Sequence, residues 1–245
     1  MEERTRLSKD VLPSKVHDVV FKMGAFKAPG PDGWSPLFFQ NQWNVVGDLV
    51  VACVKDLFKL CILPSNLNNT ILVLIPKYHL PTSFTGLRPI SLCNVAYKVI
   101  TILIANRLKP MMERWVSRTQ SNFVSGRSLA DNTIIVKEVL HSTRERESRM
   151  DGNKDRFKES RLRWSFIQQS LEALPIPALL QHQIMSCIST SRMQVLWNRG
   201  LADSFLPSRG IRQGDYLSLY LFVLCMEVLL QGIQKAVTGG TWKGI

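Results

Sequence analysis

The chain has 245 residues, of which 45% are hydrophobic and 20% charged, and this balance excludes a disordered or fibrous polypeptide. Lysine and arginine number 31 against 19 acidic residues, and the net charge of +12 favours a polyanionic partner, with nucleic acid ahead of a membrane surface. The five cysteines are widely spaced and form no CxxC or Cys/His cluster, which argues against a disulfide scaffold and against a zinc site.

The cellular compartment is predicted from the same composition. The first residues lack the apolar core of a secretory signal, and unpaired cysteines suit an intracellular protein in the nucleus or the cytoplasm. The charge-free stretch 216–226 is shorter than the roughly 20 residues that cross a bilayer. We therefore expect a protein that is not secreted and has no membrane partner, and the sequence indicates no particular protein partner.

Apolar residues recur at helical spacing along the first part of the chain. A short helix is predicted to begin at Ser14, which can cap it, and a second helix covers residues 47–61. A third helix covers residues 94–108, and Pro110 is expected to end it. The cations expected on the solvent side of this third helix are Lys98, Arg107 and Lys109.

Two segments of this first half have the character of sheet elements. Residues 70–76 are β-branched and apolar, as in a buried strand, and deliver Lys77 at their end. A second polar-ended element, residues 86–92, carries Arg88. Before them, residues 27–33 contain two prolines and two glycines, which predicts a rigid, ordered turn.

The second half of the chain is again rich in helices. The predicted class is therefore α+β, with helices in the majority. In order, its expected elements are a helix over 131–143, a charged hinge over 144–163, helices beginning at 164 and 180, and a hairpin of two short strands that turns at 198–200.

The basic loop 207–215 runs directly into a helix that is expected to be buried. Gly210 and Gly214 allow the backbone to approach another group closely. The side chains offered to a polyanion are those of Arg209 and Arg212, whose guanidinium forks suit phosphate, and the amide of Gln213, which can bond a base or sugar edge. The alternative is a basic surface turn that caps a core helix.

Seven motifs of this chain, taken in order, resemble those of the reverse transcriptase domain of plant LINE-type, non-LTR retrotransposons. The similarity extends from about residue 14 to residue 245, and the order of the motifs is more specific than any one of them. The segments that carry it are 27–33, 74–77, 88–94, 105–109, 120–132, 164–166 and 208–215.

This resemblance implies a right-hand polymerase that uses two Mg²⁺ ions and binds an RNA template and a DNA primer. Residues 1–143 would form the fingers and the start of the palm, residues 144–163 a charged hinge in place of the first catalytic strand, and residues 164–245 a partial palm. The family implies nucleotide binding by Lys77, Arg88, Gln213 and Gly214, and nucleic-acid binding by Arg127, Arg209 and Arg212. Alternatively, Lys77 and Arg88 are surface charges at strand ends.

The sequence departs from the family pattern at the implied metal site. Asp155 is the sole candidate for the first metal carboxylate and catalytic residue, but the residues around it form strands poorly. Its alternative is a solvated charge in a hinge. The other two carboxylates of the family come from an Ala-Asp-Asp hairpin beyond the glycine loop, and the chain ends at Ile245 before such a motif.

We therefore expect a truncated, partly degenerate polymerase that lacks the end of the palm and the thumb. Its class would be RNA-directed DNA polymerase, without catalysis and without bound Mg²⁺ in this form. The alternative is a non-catalytic, basic nucleic-acid-binding remnant of a retrotransposon. A dedicated host RNA-binding module has only the charge in its favour.

Overall fold

The computed structural model describes residues 7–117 and 162–241 of the chain. This part is a mixed α+β fold, as predicted, with seven α-helices and a four-stranded sheet. The elements in chain order are α1 Pro13–Lys22, α2 Pro36–Asn41, α3 Trp43–Leu60, β1 Asn69–Pro76, β2 Leu87–Cys93, α4 Val95–Trp115, α5 Trp164–Glu172, α6 Ala178–Ser189, β3 Arg192–Trp197, β4 Gly200–Leu201 and α7 Tyr216–Thr238. The predicted helix over 131–143 and nearly all of the predicted hinge lie outside the described residues.

The sheet combines strands from both halves of the sequence in the order β2-β1-β3-β4. β1 runs antiparallel to β2 and parallel to β3, so it is the strand that joins the two halves. In this register Leu72 of β1 lies between Ser91 of β2 and Val195 of β3. The segments before and after the predicted hinge therefore pair directly with each other.

The predicted N-terminal helices are confirmed, with changed starts. α1 begins at Pro13, whose missing N–H costs little in the first turn, and Leu12 occupies the position before it. Ser14 thus lies inside the helix and does not cap it. α3 begins at Trp43 rather than at residue 47 and ends at Leu60, and Cys61, which follows it, adopts a left-handed conformation with φ 55°.

The prediction that Pro110 ends the third helix is wrong, because α4 continues to Trp115 with the proline inside it. A proline in a helix interior lacks the N–H that bonds the previous turn and costs about 3 kcal/mol. Leu108, Met111 and Met112 flank it and are buried. Burying side chains of this kind contributes about 1.5–3 kcal/mol each, which outweighs the cost of the proline.

Two cations of α4 that the sequence places in solvent bond other elements instead. The Lys98 ammonium donates to the Ala28 carbonyl at 3.0 Å. The Arg107 guanidinium donates to the Leu7 carbonyl at 2.9 Å and lies 4.4 Å from the ring centroid of Phe58. Both cations therefore tie N-terminal segments to α4.

The predicted late hairpin is confirmed as β3 and β4. Asn198 and Arg199 have φ values of 49° and 66°, and two successive positive values are what a tight hairpin turn needs. After β4 the chain returns along β3, where Phe205 and Met193 exchange backbone hydrogen bonds of 2.8 and 2.9 Å. This return brings the chain to the basic loop 207–215.

α7 is the central helix of the core, where it packs against α4 and α5. It buries Leu217, Leu221 and Leu224 on its inward face. With 23 residues and few charges, α7 is long and apolar enough to cross a membrane, and it is longer than the apolar stretch expected from the sequence. The central helix of a globular core has the same length and composition, so these two properties alone do not indicate a membrane span.

Candidate nucleotide and nucleic-acid cleft

A basic cleft with a volume of about 620 Å³ opens on one face of the sheet. Its walls come from β1, β2, the connection between them and the loop 207–213, and α6, β3 and α7 each contribute one residue. Among the described residues that line it, four are cationic and none carries a carboxylate. Five of the predicted site residues line this cleft, namely Lys77, Arg88, Arg209, Arg212 and Gln213. Gly214 directly follows the last of them in the chain.

Lys77 and Arg88 lie at the same end of the β1–β2 pair. Arg88 is paired with Ile75, and the Lys77 N–H donates to the Gly86 carbonyl at 2.9 Å, so the ladder holds the two cations near each other. The Lys77 ammonium donates to the Thr85 carbonyl at 2.8 Å, and both cationic side chains are exposed. An ammonium and a guanidinium fork at one end of a cleft suit the oxygens of a phosphate chain.

The loop 207–215 is anchored to the outer edge of β2. The Gln213 carbonyl accepts a hydrogen bond of 2.9 Å from the Ser91 N–H, a group that none of the described strands pairs on that side. Gly210 and Gly214 have φ values of 85° and 99°. Glycine adopts this left-handed conformation without strain, so both glycines of the motif are needed by the path of the backbone.

Trp164 fixes the middle of the loop. Its indole Nε1 donates to the Gly210 carbonyl at 2.8 Å, and the Gly210 N–H donates to the Leu162 carbonyl at 2.7 Å. Both backbone groups of Gly210 are therefore bonded to the segment that opens α5. The sequence identifies the motif 164–166 only through its resemblance to the family. The structure shows that Trp164 of this motif positions the loop.

Arg212 lies in an environment unlike the one that nucleic-acid binding requires. It is only 4% exposed. Its guanidinium donates to the Thr70 hydroxyl at 3.0 Å, to the Tyr97 hydroxyl and to the Cys187 carbonyl, and it lies 4.2 Å from the centroid of the Tyr97 ring. These protein partners occupy the guanidinium, so Arg212 anchors the loop to the core instead of presenting a free fork to phosphate.

Asp215 extends this buried network to the start of α7. One carboxylate oxygen lies 3.2 Å from the Tyr97 hydroxyl, and the other accepts a bond of 3.3 Å from the Leu217 N–H, which caps the helix. Burial raises the pKa of Tyr97 well above its usual value, although the positive charge of Arg212 opposes this shift. The junction between loop and helix is thus held by three linked polar side chains.

The proline-rich turn 27–33 supports the same junction from the other side. The Lys27 ammonium donates to the Tyr216 hydroxyl at 2.7 Å. Tyr216 is the first residue of α7, so this bond ties the turn to the start of the helix. Gly30 packs against the start of α4 with no room for a side chain.

The sequence interpretation missed the role of Tyr97. No role is predicted for Tyr97 from the sequence, whereas in the structure it is fully buried with its hydroxyl in the Arg212 network. A tyrosine on the apolar face of a predicted helix is a usable signal, because a buried phenol needs a hydrogen-bond partner. The sequence alone does not say which partner.

The described residues do not fit a Mg²⁺ site. Residues 7–117 and 162–241 contain no group of three His, Cys, Asp or Glu side chains that could hold a metal ion. Asp215 accepts hydrogen bonds from Tyr97 and Leu217, and Glu227 accepts hydrogen bonds from Ser117 and Gln231. The predicted metal carboxylate Asp155 and the predicted nucleic-acid contact Arg127 lie outside the described residues.

The mixed α+β fold and this glycine loop are consistent with the family that the motifs resemble, and the comparison of sequences agrees. Residues 75–242 match the family Reverse transcriptase (RNA-dependent DNA polymerase). The match covers more than half of the chain. The chain therefore belongs to this family and is a reverse transcriptase domain.

Its relatives include proteins of non-LTR retrotransposons. The chain is 26% identical over 238 residues to the Transposon TX1 uncharacterized 149 kDa protein of Xenopus laevis, covering 96% of this chain and 18% of that protein. It is 27% identical over 212 residues to the Retrovirus-related Pol polyprotein from type-2 retrotransposable element R2DM of Drosophila melanogaster, covering 86% of this chain and 20% of that protein. The chain thus spans about a fifth of the length of these relatives.

A shorter match is to a plant protein. Over 39 residues the chain is 56% identical to the Uncharacterized mitochondrial protein AtMg01250 of Arabidopsis thaliana, which covers 16% of this chain and 32% of that protein. So short a match shows local similarity only, and the plant origin expected from the motifs stays a prediction.

Proposed function

We propose that this reverse transcriptase domain holds the triphosphate of an incoming nucleotide in the basic cleft, beside an RNA template and a DNA primer. One observation carries the proposal. Lys77, Arg88 and Gln213 come from three separate motifs, yet they line one cavity that has cationic walls and, among the described residues, no carboxylate. Opposite charge at short range is the main source of affinity for a triphosphate.

Each wall of the cleft has its own task in this proposal. The β1–β2 end, with Lys77 and Arg88, is the fingers side and binds phosphate oxygens. The loop with Gln213 and Gly214, followed by α7, is the palm side and lies beneath the new base pair. Gly214 suits this position, because its φ of 99° is a backbone conformation that residues with a side chain rarely adopt.

We further propose that the 245-residue chain binds nucleotide and nucleic acid without extending a primer. Reverse transcriptases generally use Mg²⁺, which neutralises the charge that develops on the transferred phosphate. The carboxylate oxygens of Asp215 already accept hydrogen bonds from Tyr97 and Leu217, and those of Glu227 accept hydrogen bonds from Ser117 and Gln231. No catalytic step is therefore assigned to the described residues.

Nucleotide binding is tested with deoxyadenosine triphosphate and the full chain by isothermal titration calorimetry. Lys77→Ala and Arg88→Ala should each weaken binding by about 10-fold or more, since a hydrogen bond to a charged group contributes about 1.5–3 kcal/mol. The control is Lys109→Ala, which removes an exposed cation of α4 outside the cleft. If the two cleft variants bind as tightly as the control, the proposed nucleotide site is wrong.

The second part of the proposal is tested by primer extension on an RNA template with Mg²⁺. The expected result is no extension product above background, with the chain and its Asp155→Ala variant alike. Extension by the chain that Asp155→Ala abolishes would contradict the proposal and would identify Asp155 as a metal ligand.

A further inference from the structure

Two aromatic side chains from distant parts of the sequence meet at the rim of the cleft. The ring centroids of Phe84 and Trp197 lie 6.2 Å apart, and the ring planes are inclined at 48°. Phe84 is 77% exposed and Trp197 is 52% exposed. Large aromatic groups contribute most to stability when buried, so an exposed pair of this kind is a candidate binding surface.

Both aromatic side chains belong to elements that build the cleft. Phe84 precedes Thr85, which lines the cavity. On β3, side chains alternate between faces, so Trp197 lies on the same face of the sheet as Val195. Val195 pairs with Leu72, another lining residue, and paired residues share a face. Trp197 is therefore on the cleft side of the sheet.

The chemistry of this rim favours one class of ligand. Lys77, Arg88 and Arg209 supply positive charge along the cleft, and the described lining residues include no carboxylate. A basic groove bordered by aromatic rings is the arrangement that binds single-stranded nucleic acid, because the cations follow the phosphates and the rings stack with the bases. An apolar protein partner would leave these cations unpaired.

We propose that Phe84 and Trp197 form a stacking platform for an unpaired base of a nucleic-acid strand that passes the nucleotide site. The ring centroids are only 6.2 Å apart and the ring planes are inclined, so a base does not fit between the two rings and stacks on an outward ring face instead. This inference rests on the proposed nucleotide function of the cleft and adds a contact to the strand beyond the nucleotide being bound. The contact is independent of base identity, because every base has a flat π face.

The test measures binding of a fluorescein-labelled 12-residue oligo(U) to the full chain by fluorescence anisotropy. Trp197→Ala and Phe84→Ala should each weaken binding about 5- to 100-fold, as expected for the loss of one base–aromatic stack. Trp197→Phe should retain most of the affinity, whereas Trp197→Leu, which is apolar but cannot stack, should lose as much as alanine does. The same losses are expected with oligo(dT), since the contact is to the base.

The chain offers a matched control in Trp34, which is 50% exposed and lies 4.1 Å from the Phe38 ring, away from the cleft lining. Trp34→Ala should bind oligo(U) as the unmodified chain does. An equal loss in Trp34→Ala and Trp197→Ala, or full affinity in Trp197→Leu, would overturn the platform. A loss confined to oligo(U) would point to a sugar contact and would also overturn it.

A second measurement uses the unmodified chain, so its result does not depend on whether the variants fold. Irradiation of the unmodified chain with 5-iodouridine in the oligonucleotide should crosslink the peptide that contains Trp197 or the one that contains Phe84, as identified by mass spectrometry. Crosslinks found only elsewhere would contradict the inference. Failure here is distinct from failure of the nucleotide site, because the latter is decided by triphosphate binding in Lys77→Ala and Arg88→Ala.

Discussion

Replacing Arg212 with leucine should destabilise the fold strongly. The guanidinium donates to Thr70, Tyr97 and Cys187, and all three acceptors lie in the core. Leucine fills part of the volume, but it removes the one donor that these three acceptors share and the positive charge that interacts with the Asp215 carboxylate. Removing one partner of a buried charged network costs about 3–5 kcal/mol. A typical domain has a total stability of only about 5–15 kcal/mol.

The assay is urea unfolding followed by circular dichroism, from which the free energy of unfolding is extrapolated to water. Arg209→Leu is the matched control, because Arg209 is an exposed arginine of the same loop and its removal should change stability by less than about 0.5 kcal/mol. Arg212→Lys should fall between the two, since an ammonium keeps the charge but does not reach three acceptors at once.

One outcome of these measurements would contradict the anchoring role of Arg212. If Arg212→Leu unfolds at the same urea concentration as Arg209→Leu while its affinity for oligo(U) falls, Arg212 is a nucleic-acid contact. The buried, anchoring role that the structure gives it would then be wrong.

Two further predictions concern packing and thiol reactivity. Gly30→Ala should destabilise the protein by about 1–3 kcal/mol, because the added Cβ would lie under 3.0 Å from backbone atoms at the start of α4. The control is Gly232→Ala, where no atom lies within 4 Å of the new Cβ, and it should stabilise α7 by about 0.5–1 kcal/mol in the same urea assay. If both variants change the free energy of unfolding equally, the close packing of Gly30 against Asn94 is wrong. In native protein at pH 8, iodoacetamide should alkylate the partly exposed Cys53 and Cys61 before Cys187, whose pKa burial raises to about 12. Mass spectrometry that finds Cys187 labelled as fast as Cys61 would show that the core is open at that point.

Local sequence patterns predicted most helices and strands, because apolar periodicity reports which face of an element is buried. The same reasoning failed at Pro110, where a local rule was outweighed by side chains that pack on distant elements. It also failed for Lys98 and Arg107, whose carbonyl partners belong to segments far away in the sequence. Such partners leave no local signal.

The sequence predicts the motifs of the candidate site, but not how they are arranged in space. Lys77, Arg88 and Gln213 were identified from their own segments, and the sequence order of the motifs indicated the family. The structure adds that the register between β1 and β2 and the bond from Ser91 to the loop bring these residues to one cleft. Register is a property of two segments together, so neither segment determines it alone.

In the basic glycine loop, local sequence and long-range contacts make different contributions. The sequence is enough to show that the loop is basic, that glycines set its path and that it belongs to a reverse transcriptase. The roles of its two arginines depend on the folded structure. Arg209 stays exposed at the cleft, while Arg212, three residues later, is buried against Tyr97 and Thr70. The two arginines differ because burial depends on the elements that surround a side chain, and Thr70 and Tyr97 lie more than a hundred positions away from Arg212 in the sequence.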